Sequence, residues 1–220
     1  MVRTRARRGI RFADKTPDVV ENKPLGWQAQ KSATTRTQIL EAAITCFTKL
    51  GYARTTTTRI AEQAGLSRGA MLHHFPSKLD IVRAAVDYLH DKRLRAFRKA
   101  VQQIPDDVDR IKMAVESYWK QVTHPMFAAF HELAVAARTD PELEAILRPA
   151  QQAFDHEFYK TAREVFPEWQ SDPEAFDLAL DLTQYLLEGM AVSLLLHEPD
   201  ERIARLLEFL EDQLRALRPS

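Results

Sequence analysis

The chain has a single cysteine, Cys46, in 220 residues. An intrachain disulfide is therefore impossible, and the same scarcity argues against a cysteine-built metal cluster. Glycine is sparse too, with 6 residues, and neither a Gly-rich phosphate loop nor a His-Glu-x-x-His pair of metal ligands occurs. No apolar run approaches the roughly 20 residues needed to cross a bilayer. The N-terminal arginines are not followed by the apolar stretch of a secretory signal. The expectations are no membrane partner and a cytoplasmic location. A surplus of charge is also missing: 31 Lys and Arg stand against 31 Asp and Glu, for a formal net charge of zero. Taken whole, that balance argues against a nucleic-acid binder, whose domains usually carry a basic excess.

The distribution of charge says otherwise. Residues 1–100 hold 20 basic and 8 acidic side chains, whereas residues 101–220 hold 11 and 23. Twelve surplus positive charges in one half are cancelled in the other, and such asymmetry points to an N-terminal part that meets a polyanion. At roughly 150 residues per domain the length allows one domain or two small ones, with a substantial core. With 45% hydrophobic and 28% charged residues the composition is that of an ordinary soluble globular chain.

Residues 1–33 lack periodicity. Arg3, Arg5, Arg7, Arg8 and Arg11 crowd the start, and Pro17, Pro24 and Gly26 interrupt the rest, so this stretch reads as a largely disordered basic arm. It is either a solvated tail or a grip on phosphates; Trp27 is suited to docking on the first helix. From Thr35 the pattern becomes helical. Ile39, Leu40, Ala43, Phe47 and Leu50 form one apolar stripe, Thr35 with Gln38 fits a capping box, and Gly51 marks the stop. Cys46 packs in or beside that stripe. Thr55 to Thr58 lead into a helix of about two turns that Gly65 breaks. Ser67 caps a second short helix, which Pro76 ends. Two short helices joined by a tight Gly-containing turn make a helix-turn-helix. Ser77 and Asp80 form a further capping box, opening a long helix from Lys78 to about Gln103. Helices are then expected near 107–123, 126–138, 141–165, 173–197 and 200–217; Asp140-Pro141-Glu142 and Asp172-Pro173-Glu174 each supply an N-cap, a first-turn proline and a dipole-compatible acid. No stretch alternates like a strand. The fold class is all-α, without internal repeats.

In the helix-turn-helix, Gly65 suits the left-handed geometry of the turn, and Ile60, Ala61, Leu66, Met71 and Phe75 supply a small core. The second helix can then lie in a major groove with its N-terminal residues at base edges. Arg68 is the natural reader, since a guanidinium bonds guanine O6 and N7 together. Gly69 and Ala70 allow close approach, with Ala70 suited to a thymine methyl, while His73 and His74 are exposed donors within reach of phosphate or base.

The run Thr57-Thr58-Arg59-Ile60-Ala61-Glu62-Gln63-Ala64-Gly65-Leu66-Ser67-Arg68-Gly69-Ala70-Met71-Leu72-His73-His74-Phe75-Pro76-Ser77-Lys78 closely resembles the DNA-binding signature of TetR-type transcriptional regulators. The resemblance covers residues 35–82 or so and falls on caps, turn, core and exposed positions together; the remaining helices match only in number and length. It implies that Thr57 and Thr58 are phosphate ligands at a helix N-terminus and that Lys78 is a phosphate clamp. Leu72 departs from the pattern, because many relatives have Tyr there, whose hydroxyl bonds phosphate. Either that contact is absent or Leu72 makes an apolar base contact.

Residues 173–197 hold 15 apolar residues in 25, too many for one stripe, so that helix is buried on two sides. The last helix carries Ile203, Leu206, Leu207, Leu210, Leu214 and Leu217 on one face, with Phe209 displaced. These two helices are expected to meet their copies in a homodimer, the arrangement that TetR-type proteins are similar in using. The resemblance further implies an inducer cavity in the aromatic-rich middle helices, with Trp119, Phe130, His131 and Tyr159 as lining candidates and Phe127 and Tyr185 beside them. An all-α domain of this size also packs aromatics in its core, and the sequence leaves both readings open. A lining of this kind favours an apolar or aromatic ligand.

The chain thus divides into three regions: a basic arm (1–33), a three-helix helix-turn-helix DNA-binding domain (34–80) and a C-terminal helical ligand-binding and dimerisation domain (81–220). The expected function is a ligand-responsive repressor with a double-stranded DNA operator, a homodimer partner and a small-molecule inducer, with no metal, no cofactor and no catalytic residues. The rivals are a constitutive DNA binder without inducer and, more remotely, an enzyme with a helix-turn-helix appendage.

Overall fold

The structure is a computed structural model that describes residues 26–102 and 109–219. Among the described residues there are nine α-helices, one 3₁₀ turn and no strand. The helices are α1 (Trp27–Arg54), α2 (Thr57–Gln63), α3 (Arg68–His74), α4 (Lys78–Gln102), α5 (Arg110–Val122), α6 (Pro125–Ala137), α7 (Pro141–Val165), α8 (Pro173–Ser193) and α9 (Glu201–Leu217), with the 3₁₀ turn at Pro167–Trp169.

Local chemistry sets most of these boundaries. Before α4 the Ser77 hydroxyl accepts from Asp80 N–H at 3.1 Å while Asp80 Oδ2 accepts from Ser77 N–H at 3.0 Å, the reciprocal box the sequence calls for. Asp140 and Asp172 accept from Leu143 N–H and Ala175 N–H at 3.1 and 3.0 Å, each followed by a first-turn proline. Gly65 ends α2 at φ +67, with Leu66 N–H on the Ala61 carbonyl and Gly65 N–H on the Glu62 carbonyl, a complete Schellman closure.

The start of α1 departs from expectation. The helix begins at Trp27 rather than Thr35, and the Thr35 hydroxyl donates to the Lys31 carbonyl at 3.0 Å inside the helix instead of capping it. Gln28, Ala29, Gln30, Lys31 and Ala33 favour helix, and no proline or glycine comes between Gly26 and Gly51 to stop them. This first stretch is almost wholly exposed, so it carries no apolar stripe to betray it. Trp27, expected to dock on the first helix, is instead its first residue, 73% exposed with the Lys31 ammonium over its ring. The arm up to residue 25 and the link 103–108 lie outside the described residues. At Gly51 the backbone turns to φ +77, and the chain resumes helical geometry for Tyr52–Arg54. A Cβ at Gly51 would lie 2.8 Å from Glu132 Oε1, which accepts the Tyr52 N–H at 2.7 Å, so glycine is needed there for both conformation and space. The helix α8 stops at Ser193, short of 197, because Leu195 and Leu196 bond to carbonyls three residues back as the chain tightens before Pro199.

Two cores result. The first joins α1, α2, α3 and the start of α4 to α6 and the start of α7 around Ile39, Phe47, Ile60, Met71, Phe75 and Leu133. The second joins the rest of α4 to α5, α7, α8 and α9 around Phe97, Tyr118, Phe154, Phe158, Phe176 and Leu210. Cys46 is buried in the first, and burial raises its thiol pKa. Ala129 and Leu133 of α6 pack into the same core as α1–α3, so residues 34–80 share their core with later helices.

Candidate nucleic-acid interface and effector cavity

The head is assembled from short-range bonds that leave one face of α3 free. Ser67 Oγ accepts from Ala70 N–H at 3.1 Å, fixing the first turn of α3. Met71 and Phe75 turn inward; Arg68, Gly69, Ala70 and His73 are exposed, with Leu72 and His74 half-buried beside them. A Cβ at Gly69 would meet nothing within 4 Å, so this surface is open to an incoming partner. Thr56 caps α2 by accepting from Arg59 N–H at 3.3 Å, which leaves Thr57 and the exposed Thr58 in the first turn, where N–H groups have no intrahelical acceptor.

Lys78 has an intramolecular role that its position in the sequence did not reveal. Its ammonium donates to the Tyr52 carbonyl at 2.6 Å and lies 3.6 Å from the Tyr52 ring centroid, and burial pulls its pKa down. Arg36 also escaped the sequence reading. Its guanidinium covers the Phe75 ring at 4.2 Å and donates to the His74 carbonyl at 3.0 Å, closing the C-terminal end of α3.

In the body, α4, α5 and α6 enclose a cavity of about 310 Å³. Of the residues expected to line a ligand site, the structure brings Phe127 and Phe130 to this cavity. His131 stacks on Phe127 at 4.8 Å and faces an adjoining space toward α8. The other three are placed elsewhere. Trp119 packs half-buried on the second core; Tyr159 donates to Asp181 on an open groove; Tyr185 is 71% exposed on the outer side of α8. Each is aromatic at a helical position, and residue type alone does not tell which side of a helix faces a void. The sequence reading missed Leu89, His90, Arg93 and Gln121. Their signal was present in the spacing, since residues 89, 93 and 96 on α4 and 117, 120 and 121 on α5 obey helical periodicity.

Charged and polar groups cluster behind this wall. The Arg93 side chain is 14% exposed, reaches Glu188 Oε1 of α8 at 3.2 Å and covers the Phe154 ring at 4.4 Å. The Tyr118 hydroxyl donates to the same carboxylate at 3.0 Å, and burial holds the phenol well above its usual range. His90 is buried between the Phe130 and Phe154 rings. Burial, helped by the neighbouring Arg93 charge, pushes its pKa down to about 4, so the ring is neutral near pH 7. A hydrogen bond to the Ala150 backbone that raises the pKa is one the ring donates, which leaves the buried Nε2 as an acceptor without a protein partner among the described residues. The amide nitrogen of Gln121 is likewise buried and unpartnered among the described residues.

A fixed helix-turn-helix with one free helix face, carried on a long helix that runs into an all-helical body, is the architecture of a helix-turn-helix DNA-binding protein. Residues 39–85 match the family described as bacterial regulatory proteins, tetR family. The chain is 30% identical over 166 residues to an uncharacterized HTH-type transcriptional regulator of Mycobacterium tuberculosis, across 75% of this chain and 85% of that one. It is therefore a member of the TetR family of transcriptional regulators. Solved structures share its fold: a TetR family transcription regulator from Marinobacter aquaeolei VT8 has a TM-score of 0.59 at 17% identity, covering 86% of this chain and 97% of that chain. The multidrug binding protein EbrR complexed with imidazole has a TM-score of 0.56 at 20% identity, covering 84% and 95%. None of the helices of the described residues is long and apolar enough to cross a membrane.

Proposed function

We propose that this regulator is a repressor that holds a near-palindromic DNA operator as a homodimer and releases it when a small, largely apolar inducer occupies the α4–α5–α6 cavity. The observation that carries this reading is the double duty of α4. Its first residues abut the head through Ser77 and Lys78, and three turns further on Leu89, His90 and Arg93 wall the cavity. A ligand that binds better to one tilt of α4 than to another shifts the population of head positions by that difference in affinity. In this scheme residues 34–80 read DNA and 81–220 sense and dimerise, although the two share a core.

Arg68 reads base edges in this scheme, with Gly69 and Ala70 allowing close approach and Leu72, His73 and His74 flanking. Ser67 holds the helix N-terminus in place, and Thr57 and Thr58 meet phosphate. Lys78 acts as a clamp by trading the Tyr52 carbonyl for a phosphate oxygen. The dimer is supported by an apolar stripe left uncovered on α8 and α9: Leu178, Tyr185 and Phe209 are 54%, 71% and 56% exposed, and Leu206 adjoins them. Residues 178, 182, 185 and 189 fall on one helix face, and nothing lies within 4 Å of a Cβ at Gly189. A second copy covers such a stripe by two-fold symmetry and sets the two heads about 34–36 Å apart, one turn of duplex.

Selection of bound DNA from a random pool, repeated with candidate metabolites, tests the scheme. The expected product is a near-palindrome whose binding is lost when one half-site is scrambled. Enrichment of a single asymmetric half-site, or an operator that no metabolite releases, counts against the dimeric, inducible reading and favours a constitutive binder.

A further inference from the structure

The cavity between α4, α5 and α6 has a composition that its surroundings do not share. Residues 81–220 carry 25 acidic side chains to 17 basic, yet among the described residues no Asp or Glu lines this cavity. Its lining includes Lys92 and Lys120, both exposed at the rim, and the Arg93 guanidinium, whose charge is already answered by Glu188. By contrast, the open groove along α7 is lined by Asp155 and Glu164 as well as Lys160 and Arg163. Lys92 has Glu41 only at 3.9 Å, with both side chains about half exposed, a pairing too weak to cancel it. Below the rim the wall is largely apolar (Leu89, Phe127, Phe130), with the Gln121 amide nitrogen buried behind it and without a protein partner among the described residues.

We infer that the inducer is a compact organic anion: an apolar, ring-sized body seated against the phenylalanines, with a single carboxylate turned to the lysine rim. This inference rests on the reading of the cavity as the effector site and adds the chemistry of its occupant. The volume of about 310 Å³ lies at the small end of the range of roughly 300–1,000 Å³ for ligand pockets, which favours a small ring over a long chain. An ammonium ligand meets like charges at the rim and finds no carboxylate on the lining. A neutral ligand forms no ion pair with the two lysines. A carboxylate accepts from either ammonium. The void inside the second core, at about 60 Å³, is too small to compete as a receptor.

Calorimetric titration of the full chain with 4-tert-butylbenzoate, 4-tert-butylbenzyl alcohol and 4-tert-butylbenzylamine tests this, because the three share a body and differ in charge. At low salt the carboxylate is expected to bind about tenfold tighter than the alcohol, with the amine weakest, and the gap is expected to close at high salt as rim charges are screened. The double variant Lys92→Gln/Lys120→Gln, at two exposed positions, is expected to erase the gap while retaining the alcohol. Equal or tighter binding of the alcohol or amine overturns the anion assignment and leaves the cavity standing, as does a gap that the double variant does not change. Binding of all three that is wholly unchanged by Phe130→Trp, which pushes a larger ring into the cavity wall, locates them elsewhere and overturns the cavity reading itself. Failure of all three to saturate at millimolar concentration does the same.

Discussion

The head and the body of this regulator are packed from different materials. The first core is mostly aliphatic, with Phe47 and Phe75 as its large rings, and it meets the cavity only at its margin, through Leu89 and the adjoining Met126 and Phe130. The second is built on Phe97, Tyr118, Phe127, Phe154, Phe158, Phe166, Trp169 and Phe176, and beside it lie the cavity and the Arg93–Glu188–Tyr118 cluster. The buried polar side-chain atoms that lack a partner among the described residues belong to His90, Arg110, Gln121, His131 and Gln151, all beyond the first three turns of α4. A reading head gains from a single rigid arrangement, because base contacts depend on fixed geometry. A sensing body gains from polar groups that a ligand can satisfy, at the cost of a looser interior.

The largest expected effect tests that difference in tightness. Phe47→Ala removes a side chain that is 1% exposed and is expected to cost about 3–5 kcal/mol in denaturant unfolding. Phe127→Ala, which only enlarges an existing cavity, is expected to cost less than half as much. Equal losses would show a body as close-packed as the head.

The next concerns pH. Well above pH 6.5 the His90 ring is neutral in both the folded and the unfolded chain and contributes no pH dependence. As pH falls from 6.5 toward 4, the unfolded chain takes up a proton that the folded ring refuses, so stability is lost by about 3 kcal/mol in all. Unfolding measured across that window should therefore be about that much less pH-sensitive in His90→Gln than in the native chain. Identical pH profiles would place His90 in a solvated setting and remove one mark of the looser body.

Smaller effects belong to the head. Arg68→Ala is expected to relax sequence preference at one base pair by about 1–3 kcal/mol while leaving unfolding within roughly 0.5 kcal/mol of the native value. Competition binding against operators mutated at single positions reads this, and a uniform loss across all sequences assigns Arg68 to phosphate instead. Ser67→Ala removes the α3 cap and is expected to lower stability by about 1 kcal/mol, whereas an unchanged unfolding curve shows that the cap is replaced by water.

The head was the more legible of the two in sequence. Its boundaries rest on bonds between residues three to five apart: Ser67 to Ala70, Ser77 to Asp80, Leu66 back to Ala61. Such contacts leave fixed spacings that a linear reading detects. Its limits appear where a bond spans the fold, as with Glu132 on Tyr52 N–H or Lys78 on the Tyr52 carbonyl. The exposed start of α1 was hidden for a different reason, since propensity rather than burial supports it. In the body, aromatic content alone singled out Trp119, Tyr159 and Tyr185 alongside Phe127 and Phe130, and packing separated them.

By itself, the order of residues determined the helices, the short turn at Gly65, the exposed residues of α3 and the division of charge between two halves, because each depends on neighbours along the chain or on composition. The tertiary structure decided which face of α4 meets Gln121 and Phe130, which apolar residues of α8 and α9 stay uncovered, and that an acid-rich body contains a cavity lined by no acid among the described residues. Those features are set by how helices far apart in sequence cross one another, and helical periodicity records a face without recording what it faces.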